Sequence, residues 1–348
     1  VVGDQVFQHA RVGNQERLWC IDRQSGDVVW KQSVDVPFRP AGGGEFHGSG
    51  PKSNATYSVG RLFTVSILGT LTAWDARQGQ KLWQRNFDDE FGKGYPNWGA
   101  SGSPIVVGSR VILHFGNDDA GALVALDVQS GEMLWRSGSA GASYSSPLFA
   151  TIDGTPQIVQ WNHLGLVGVD VETGRELWSY SFPHVGSDQN MPTPSIHRGV
   201  VLLGGENRGL HAIAPKKRPA GNWIVDAPWH NQNLALDMSS AVINDGFLYG
   251  MSHYDKGRLF CVDPKDGTIR WTGPPRTGQN VTFVAADGVI FALLDNGLLR
   301  VLQASPDAYN VVAEYRVADG RTWAAPTLLP DGLLIKDHQT LTRWAFSR

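Results

Sequence analysis

Short apolar runs recur along the whole chain, separated by Gly, Pro, Asp, Asn and Ser, and this rhythm predicts β-strands throughout. Leu123-Val124-Ala125-Leu126 and Leu166-Val167-Gly168-Val169 are each followed by Asp, a turn containing Gly, and a second short run such as Glu132-Met133-Leu134-Trp135. Two strands joined by such a turn make a hairpin. Upstream lies another hairpin, in which Ile105-Val106-Val107 is joined through Gly108 to Arg110-Val111-Ile112-Leu113-His114. Each unit therefore holds four strands, the size of one propeller blade.

The units repeat. Asp, three residues, Gly, three residues, Trp occurs as Asp22-Gly26-Trp30, Asp75-Gly79-Trp83, Asp127-Gly131-Trp135, Asp170-Gly174-Trp178 and Asp263-Gly267-Trp271. Self-similarity at a fixed period of this length marks a repeat architecture. Within the motif, Asp can bond turn amides, Gly can take positive φ, and Trp can pack on the neighbouring blade, so the motif reads as structural and not catalytic. Weaker copies keep the interval, with Trp223 expected in the Trp place of the fifth unit and Tyr315 in that of the seventh. Eight units start near Val1, His47, Gly99, Ser143, Asn190, Asp237, Asn280 and Thr322. The first lacks a clear innermost strand, and the last, ending at Arg343-Trp344-Ala345-Phe346, stops before its outermost one. The expected fold is all-β, an eight-bladed β-propeller of four-stranded antiparallel blades, with residues 1–348 forming one domain.

Composition narrows the function classes. Of 348 residues, 41% are hydrophobic and 18% charged, a globular balance, while 41 Gly and 13 Trp suit many tight turns and a repeated large anchor. The net charge of −3 and the lack of any basic block beyond Lys216-Lys217-Arg218 exclude a nucleic-acid surface. No apolar run approaches the roughly 18 residues of a membrane span. The opening residues Val1 to Phe7 read as strand, so no signal peptide is expected in this sequence. Cys20 and Cys261 hold the same place in their repeats, which predicts two buried small hydrophobes far from each other, without a disulfide.

The units Leu71 to Trp83 and Leu123 to Trp135, with the segments His47-Gly48-Ser49-Gly50-Pro51-Lys52-Ser53, Asn97-Trp98-Gly99-Ala100-Ser101-Gly102-Ser103-Pro104 and Tyr144-Ser145-Ser146-Pro147, resemble the repeat of pyrroloquinoline-quinone (PQQ)-type propellers. That family holds quinoprotein alcohol dehydrogenases and BamB-like bacterial propellers, and the resemblance covers essentially the whole chain. It implies eight blades and a periplasmic or exported protein. It does not settle activity, because the same fold carries enzymes and scaffolds.

In a propeller the innermost strands line a central channel, and the loops entering them open on one face. Here those entries are polar and aromatic: Glu45-Phe46-His47, Pro96-Asn97-Trp98, Ser143-Tyr144-Ser145, Gln189-Asn190-Met191, Leu236-Asp237-Met238, Gln279-Asn280 and Arg321-Thr322-Trp323. Trp98 and Trp323 offer stacking faces, while Asn97, Asn190 and Asn280 can orient hydroxyls or carbonyls of a small-molecule or glycan ligand. His47, set between Gly42-Gly43-Gly44 and Gly48-Ser49-Gly50, is the candidate for acid–base work, with Tyr144 as its partner and Asp237 as a base or calcium ligand. The connection from Asn86 to Trp98 carries Asp88, Asp89, Glu90 and Lys93 and is either a lid or a solvated loop. His114, His163 and His253 fall in second-strand positions and read as surface or satisfied core residues. The chain has no His-x3-His, Cys-x2-Cys or Glu-x2-His grouping for a structural zinc, no phosphate loop and no Gly-x-Ser-x-Gly elbow.

Three functions compete. The leading one is a BamB-like scaffold binding a protein partner, a glycan or a small molecule through its polar, aromatic funnel. The second is a PQQ-dependent dehydrogenase of alcohols or sugars, which requires a planar quinone, calcium and an Asp base. The resemblance implies adjacent paired cysteines over the quinone in the alcohol dehydrogenases, and this chain has no such pair. A site of the soluble sugar-dehydrogenase style stays open. The third is a propeller-type polysaccharide lyase or hydrolase working through His47 and Tyr144.

Overall fold

The computed structural model describes residues 1–40, 44–186 and 189–346. Gly42 and Gly43, part of the flexible setting read around His47, lie outside the described residues. The fold is all-β, an eight-bladed β-propeller, and eight separate antiparallel sheets follow one another along the chain. The first sheet has three strands, Gln5–Val12, Gln15–Asp22 and Val28–Asp35. The last also has three, Thr327–Leu329, Gly332–Lys336 and Leu341–Ala345. The six between have four each, beginning at Thr56, Ile105, Leu148, Ser195, Val242 and Val281. Among the described residues, the first sheet lacks an innermost strand, because the motif turn at Asp22 follows its second strand instead of its third, and the last sheet lacks an outermost one.

The chain packs as two compact units. One comprises Val1–Asn190 with Lys217–Ile224, the other Met191–Lys216 with Val225–Arg348. In the first, residues from the middle strands of adjacent blades interlock: Phe63, Val65 and Leu71 meet Phe115 and Val124, and Ile112 and Leu123 meet Ile158 and Val169. In the second, Leu202 and Leu210 meet Leu248 and Phe260, Tyr249 and Cys261 meet Ile290 and Leu302, and Phe291 and Leu293 meet Leu333 and Ile335. Middle strands are packed on both faces, so Gly121–Asp127 is buried almost continuously. Outer strands carry exposed apolar residues such as Val28, Met133 and Val312. Cys20 and Cys261 are fully buried and free.

The repeated motif has one geometry. Asp22, Asp75 and Asp127 each accept two backbone N–H bonds through Oδ1, from the residues two and three positions on. These bonds stabilise the carboxylate and hold Asp22 and Asp127 below the usual carboxylate range. Each indole then reaches forward one blade. Trp30 Nε1 donates to Ala76 O, Trp83 to Val128 O and Trp135 to Val171 O, at 3.1, 3.2 and 3.1 Å. The Gly of the next turn lies beneath the ring: at Gly131 (φ +70) an added Cβ would stand 2.6 Å from Trp83 Cδ2. Only Gly combines that backbone with that clearance.

Two expected anchors are displaced. In the fifth blade Trp229, not Trp223, makes the forward bond, to Pro264 O at 3.0 Å, with its ring over Gly267. In the seventh, Ala313 stands opposite Val301 just before the bulge, the register that places Trp271 opposite Cys261 in the sixth. Tyr315 lies two residues further on and is 56% exposed. Trp178 spends its Nε1–H on Gln157 Oε1 inside its own blade.

The connection ahead of Asn97 is pinned down. Its one-turn helix Asp88–Phe91 follows Phe87, whose ring centroid lies 4.5 Å from that of Phe115. Asn117 Nδ2 donates to Phe91 O and Lys93 O, and Gly94 N–H donates to Asp88 Oδ1. The segment is thereby fastened to the third blade. Among the described residues, no helix is long and apolar enough to cross a membrane.

Candidate functional site

In the first unit, the loops that enter blades and the hairpins that join second to third strands supply a compact polar and aromatic group. Trp98 and Tyr144, from the entries of the third and fourth blades, bring their rings to 5.5 Å at 31°. Trp98 N–H donates to the Tyr144 hydroxyl at 3.2 Å, and Lys52 Nζ donates to Trp98 O at 2.9 Å. Asn97 is exposed, and its N–H donates to Asp118 Oδ2 at 2.8 Å. His47 ends the single 3-10 turn Gly44–His47 and is half-buried. Gly44 in that turn lies against the Trp98 indole, where an added Cβ would be 3.1 Å from Cδ1.

Burial dominates the electrostatics here. It pulls the Lys52 ammonium down to about 8. It pushes the Tyr144 phenol up; the Trp98 amide opposes that shift and the Asp118 carboxylate adds to it. Next to them, the His163 and His184 rings pack at 4.0 Å and 56°. Burial and then the neighbouring His184 lower His163, against the attraction of Asp118. His163 sits in the hairpin after the strand Thr155–Trp161, not in the second strand itself, and only 5% of it is exposed. A small space lined by Pro96, Ala100, Leu113, His114, Ala142 and Ser143 measures about 10 Å³, the room of one water at most.

Asn190 is fully buried, and its Nδ2 donates to Asn162 O and Phe182 O while its carbonyl accepts Tyr144 N–H. Its amide braces the loop that presents Tyr144. Serines do similar work at other entries: Ser101 Oγ donates to Tyr144 O, and Ser103 N–H donates to Ser146 Oγ. Much of the polarity that the sequence places at these entries is therefore spent between neighbouring blades.

The second unit holds Asp237, Asn280 and Trp323. Asp237 and Trp323 are half-buried. Asn280 is 6% exposed, and neither its Nδ2 nor its Oδ1 has a hydrogen-bond partner among the described residues. Its backbone N–H and that of Gln279 donate to Asp295 Oδ1, each at 3.3 Å. Among the described residues, no group of three or more His, Cys, Asp and Glu side chains is placed to hold a metal ion.

Lys52, Asp118 and the His163–His184 pair escape a linear reading, because each comes from a different blade. Lys52 alone carried a signal, as the one cation in the Gly-rich entry His47-Gly48-Ser49-Gly50-Pro51-Lys52. His114 lies beneath this group and donates Nε2–H to Ala140 O at 3.0 Å, and burial lowers its imidazole to about 4. Because the folded value is below the ordinary 6.5, the unfolded chain binds this proton first. Stability present above pH 6.5 is lost as pH falls from there through about 4. Urea melts at pH 7 and pH 4.5 are expected to show about 2 kcal/mol more acid destabilisation in the wild type than in His114→Gln, which keeps an N–H for Ala140. Equal losses in both proteins would refute the assignment.

The family model described as outer membrane protein assembly factor BamB matches residues 14–273. The outer membrane protein assembly factor BamB of Shewanella oneidensis is 24% identical over 90% of this chain and 76% of its own. A polyvinylalcohol dehydrogenase from a Pseudomonas species is 25% identical over 94% of this chain but only 52% of its own. Among solved structures, BamB from Moraxella catarrhalis superimposes with a TM-score of 0.66 at 14% identity, covering 97% of this chain and 96% of that one. Quinohemoprotein alcohol dehydrogenase from Comamonas testosteroni gives 0.65 at 15% identity, covering 96% and 69%. At such identities the structures speak to the fold alone, and it is the match over residues 14–273, on top of the repeat geometry, that makes this chain a member of the BamB family of PQQ-like propellers.

Proposed function

We propose that this chain is a binding scaffold, a single propeller domain over residues 1–348, that works in the periplasm or another exported compartment and docks a protein partner on the Trp98–Tyr144 platform. One observation carries the reading. The groups suited to chemistry are tied to backbone: Lys52 to Trp98 O, Trp98 N–H to Tyr144, and Asn97 N–H to Asp118. The result is a fixed aromatic surface with one cation and one anion at its edge. Such a surface suits an inserted side chain better than an enclosed substrate. The relatives named as assembly factors support a protein partner.

Quinone chemistry does not fit the residues present. Cys20 and Cys261 are each buried and are not adjacent in the sequence, so the adjacent cysteine pair implied for the alcohol dehydrogenases is missing. No carboxylate cluster offers calcium a ligand set among the described residues. Burial keeps the Tyr144 phenol protonated near neutral pH, which suits a proton donor and not a base.

Calorimetry with PQQ plus calcium is expected to give no binding heat for the wild type or for Asp237→Ala. Tight binding that disappears in Asp237→Ala would overturn the scaffold reading. As the positive arm, a photo-crosslinking residue at Asn97 in the native envelope is expected to capture one protein, with the yield falling at least about tenfold when Trp98→Ala removes the anchor.

A further inference from the structure

A cleft of about 850 Å³ opens in the second unit beside the fifth and sixth blades. One wall is the hairpin that carries His197 and Arg198. A second is the pair of strands bearing Lys216 and Asp226, and the third is the turn Asp263-Pro264-Lys265. Val200, Ala214, Pro228 and Pro264 make its floor apolar. The size lies in the range of dedicated ligand sites.

The sequence departs from its own repeat at this place. The fifth blade has no Asp-x3-Gly turn; its third strand runs on as Leu210–Lys217 and its fourth begins at Trp223, so both reach beyond the usual edge. Arg198 departs as well. It stands at φ +49 in the tight turn between first and second strands, where the fourth and sixth blades place Asp153 (φ +44) and Asp245 (φ +48). Asp tolerates that conformation through local hydrogen bonds, and Arg gains no such help. The second blade carries Val59 at φ +42 in the same turn, so the position is not reserved for Asp, and Arg198 sets a guanidinium at the mouth of the cleft where the two adjacent blades carry a carboxylate.

The charges do not cancel. Asp226 is paired with Lys216 at 3.0 Å, and Asp263 turns Oδ1 onto the backbone N–H of Lys265 at 3.0 Å. Among the described residues, no ion pair compensates the Arg198 guanidinium or the Lys265 ammonium, and His197 stands beside them. Arg198, Lys216 and Lys265 stand against Asp226 and Asp263 on the lining, a net of one positive charge over an apolar floor, and that balance favours an acidic, partly apolar ligand.

We propose that this cleft binds a short acidic peptide segment of a partner protein, its apolar side chains on the Pro228–Pro264 floor and its carboxylates on Arg198 and Lys265. The inference goes beyond the scaffold reading and uses none of the residues of the Trp98–Tyr144 platform.

The test is fluorescence anisotropy of the whole chain with a labelled octapeptide of alternating Glu and Leu. The Lys and Leu counterpart serves as control, and citrate as a competing small anion. Micromolar binding of the acidic peptide is expected, weakened at least about tenfold by Arg198→Asp with Lys265→Glu and falling as salt rises to about 0.5 M. Arg198→Asp restores the residue type that the neighbouring blades carry, so the variant is expected to keep the wild-type circular dichroism and melting temperature. Trp98→Ala is expected to bind the peptide as the wild type does, which separates this site from the platform. No binding of the acidic peptide, or binding indifferent to the double variant, would overturn the proposal. Displacement by an equimolar amount of citrate would also overturn it, by assigning the cleft to small anions.

Discussion

Glu16→Ala is expected to destabilise the first unit by about 3–5 kcal/mol. Glu16 is only 3% exposed, in the strand Gln15–Asp22. Its Oε1 accepts from Arg11 Nη2 at 3.1 Å and from the fully buried Ile67 N–H at 2.9 Å, while Oε2 faces His9 Nε2 at 3.3 Å. The carboxylate is thus the shared acceptor that joins the first blade to the second. Alanine would leave a guanidinium and a backbone amide buried without it, and that desolvation cost, more than the lost attraction, sets the size of the effect. Glu16→Gln keeps an oxygen for Ile67 and is expected to lose roughly half as much. Urea unfolding measures both, and hydrogen exchange at Ile67 is expected to speed up in Glu16→Ala and stay slow in Glu16→Gln. An alanine variant within about 1 kcal/mol of wild type would show that the network contributes little.

Trp135→Ala carries the second large effect, also about 3–5 kcal/mol. The indole is 7% exposed, packs with Ile112, Ile158 and Val169, and donates to Val171 O on the next blade. Phenylalanine at this position keeps most of the area and loses the donor, so about 1–2 kcal/mol is expected. The same logic tests the fifth blade. Trp229→Ala is expected to lower the urea midpoint clearly and Trp223→Ala hardly at all, because only Trp229 bonds Pro264 and covers Gly267. The reverse order would restore the anchor to Trp223.

That pair of tryptophans also shows how far the sequence could be read. Five exact motif copies announced the blades, because Asp, Gly and Trp each meet a demand of the same hairpin. The reading slipped where the hairpin was rebuilt. In the fifth blade the lengthened strands move the anchor six residues, from Trp223 to Trp229, and a count of intervals cannot follow that. In the seventh, the bulge between Val301 and Leu302 fixes which residue faces the neighbour, and it is the small Ala313. Trp98, Tyr144 and Asn97 could be picked out as polar and aromatic entries, and the structure does place them together in the first unit. Asp118 and His184 could not, and Lys52 and His163 were given no role, since which residues of separate blades meet leaves no signature along the chain. Nor does the sequence tell a polar entry residue that meets solvent from one, like Asn190, consumed in bracing a loop.

The forward reach of the indoles gives the molecule a direction. Trp30, Trp83 and Trp135 in the first unit, and Trp229 and Trp271 in the second, each hold the blade that follows them in sequence. A chain emerging from the ribosome makes its amino-terminal end first. The residues of every such clasp are therefore synthesised before those of the blade they hold. Trp344, in the last strand, bonds backward to Val317 instead.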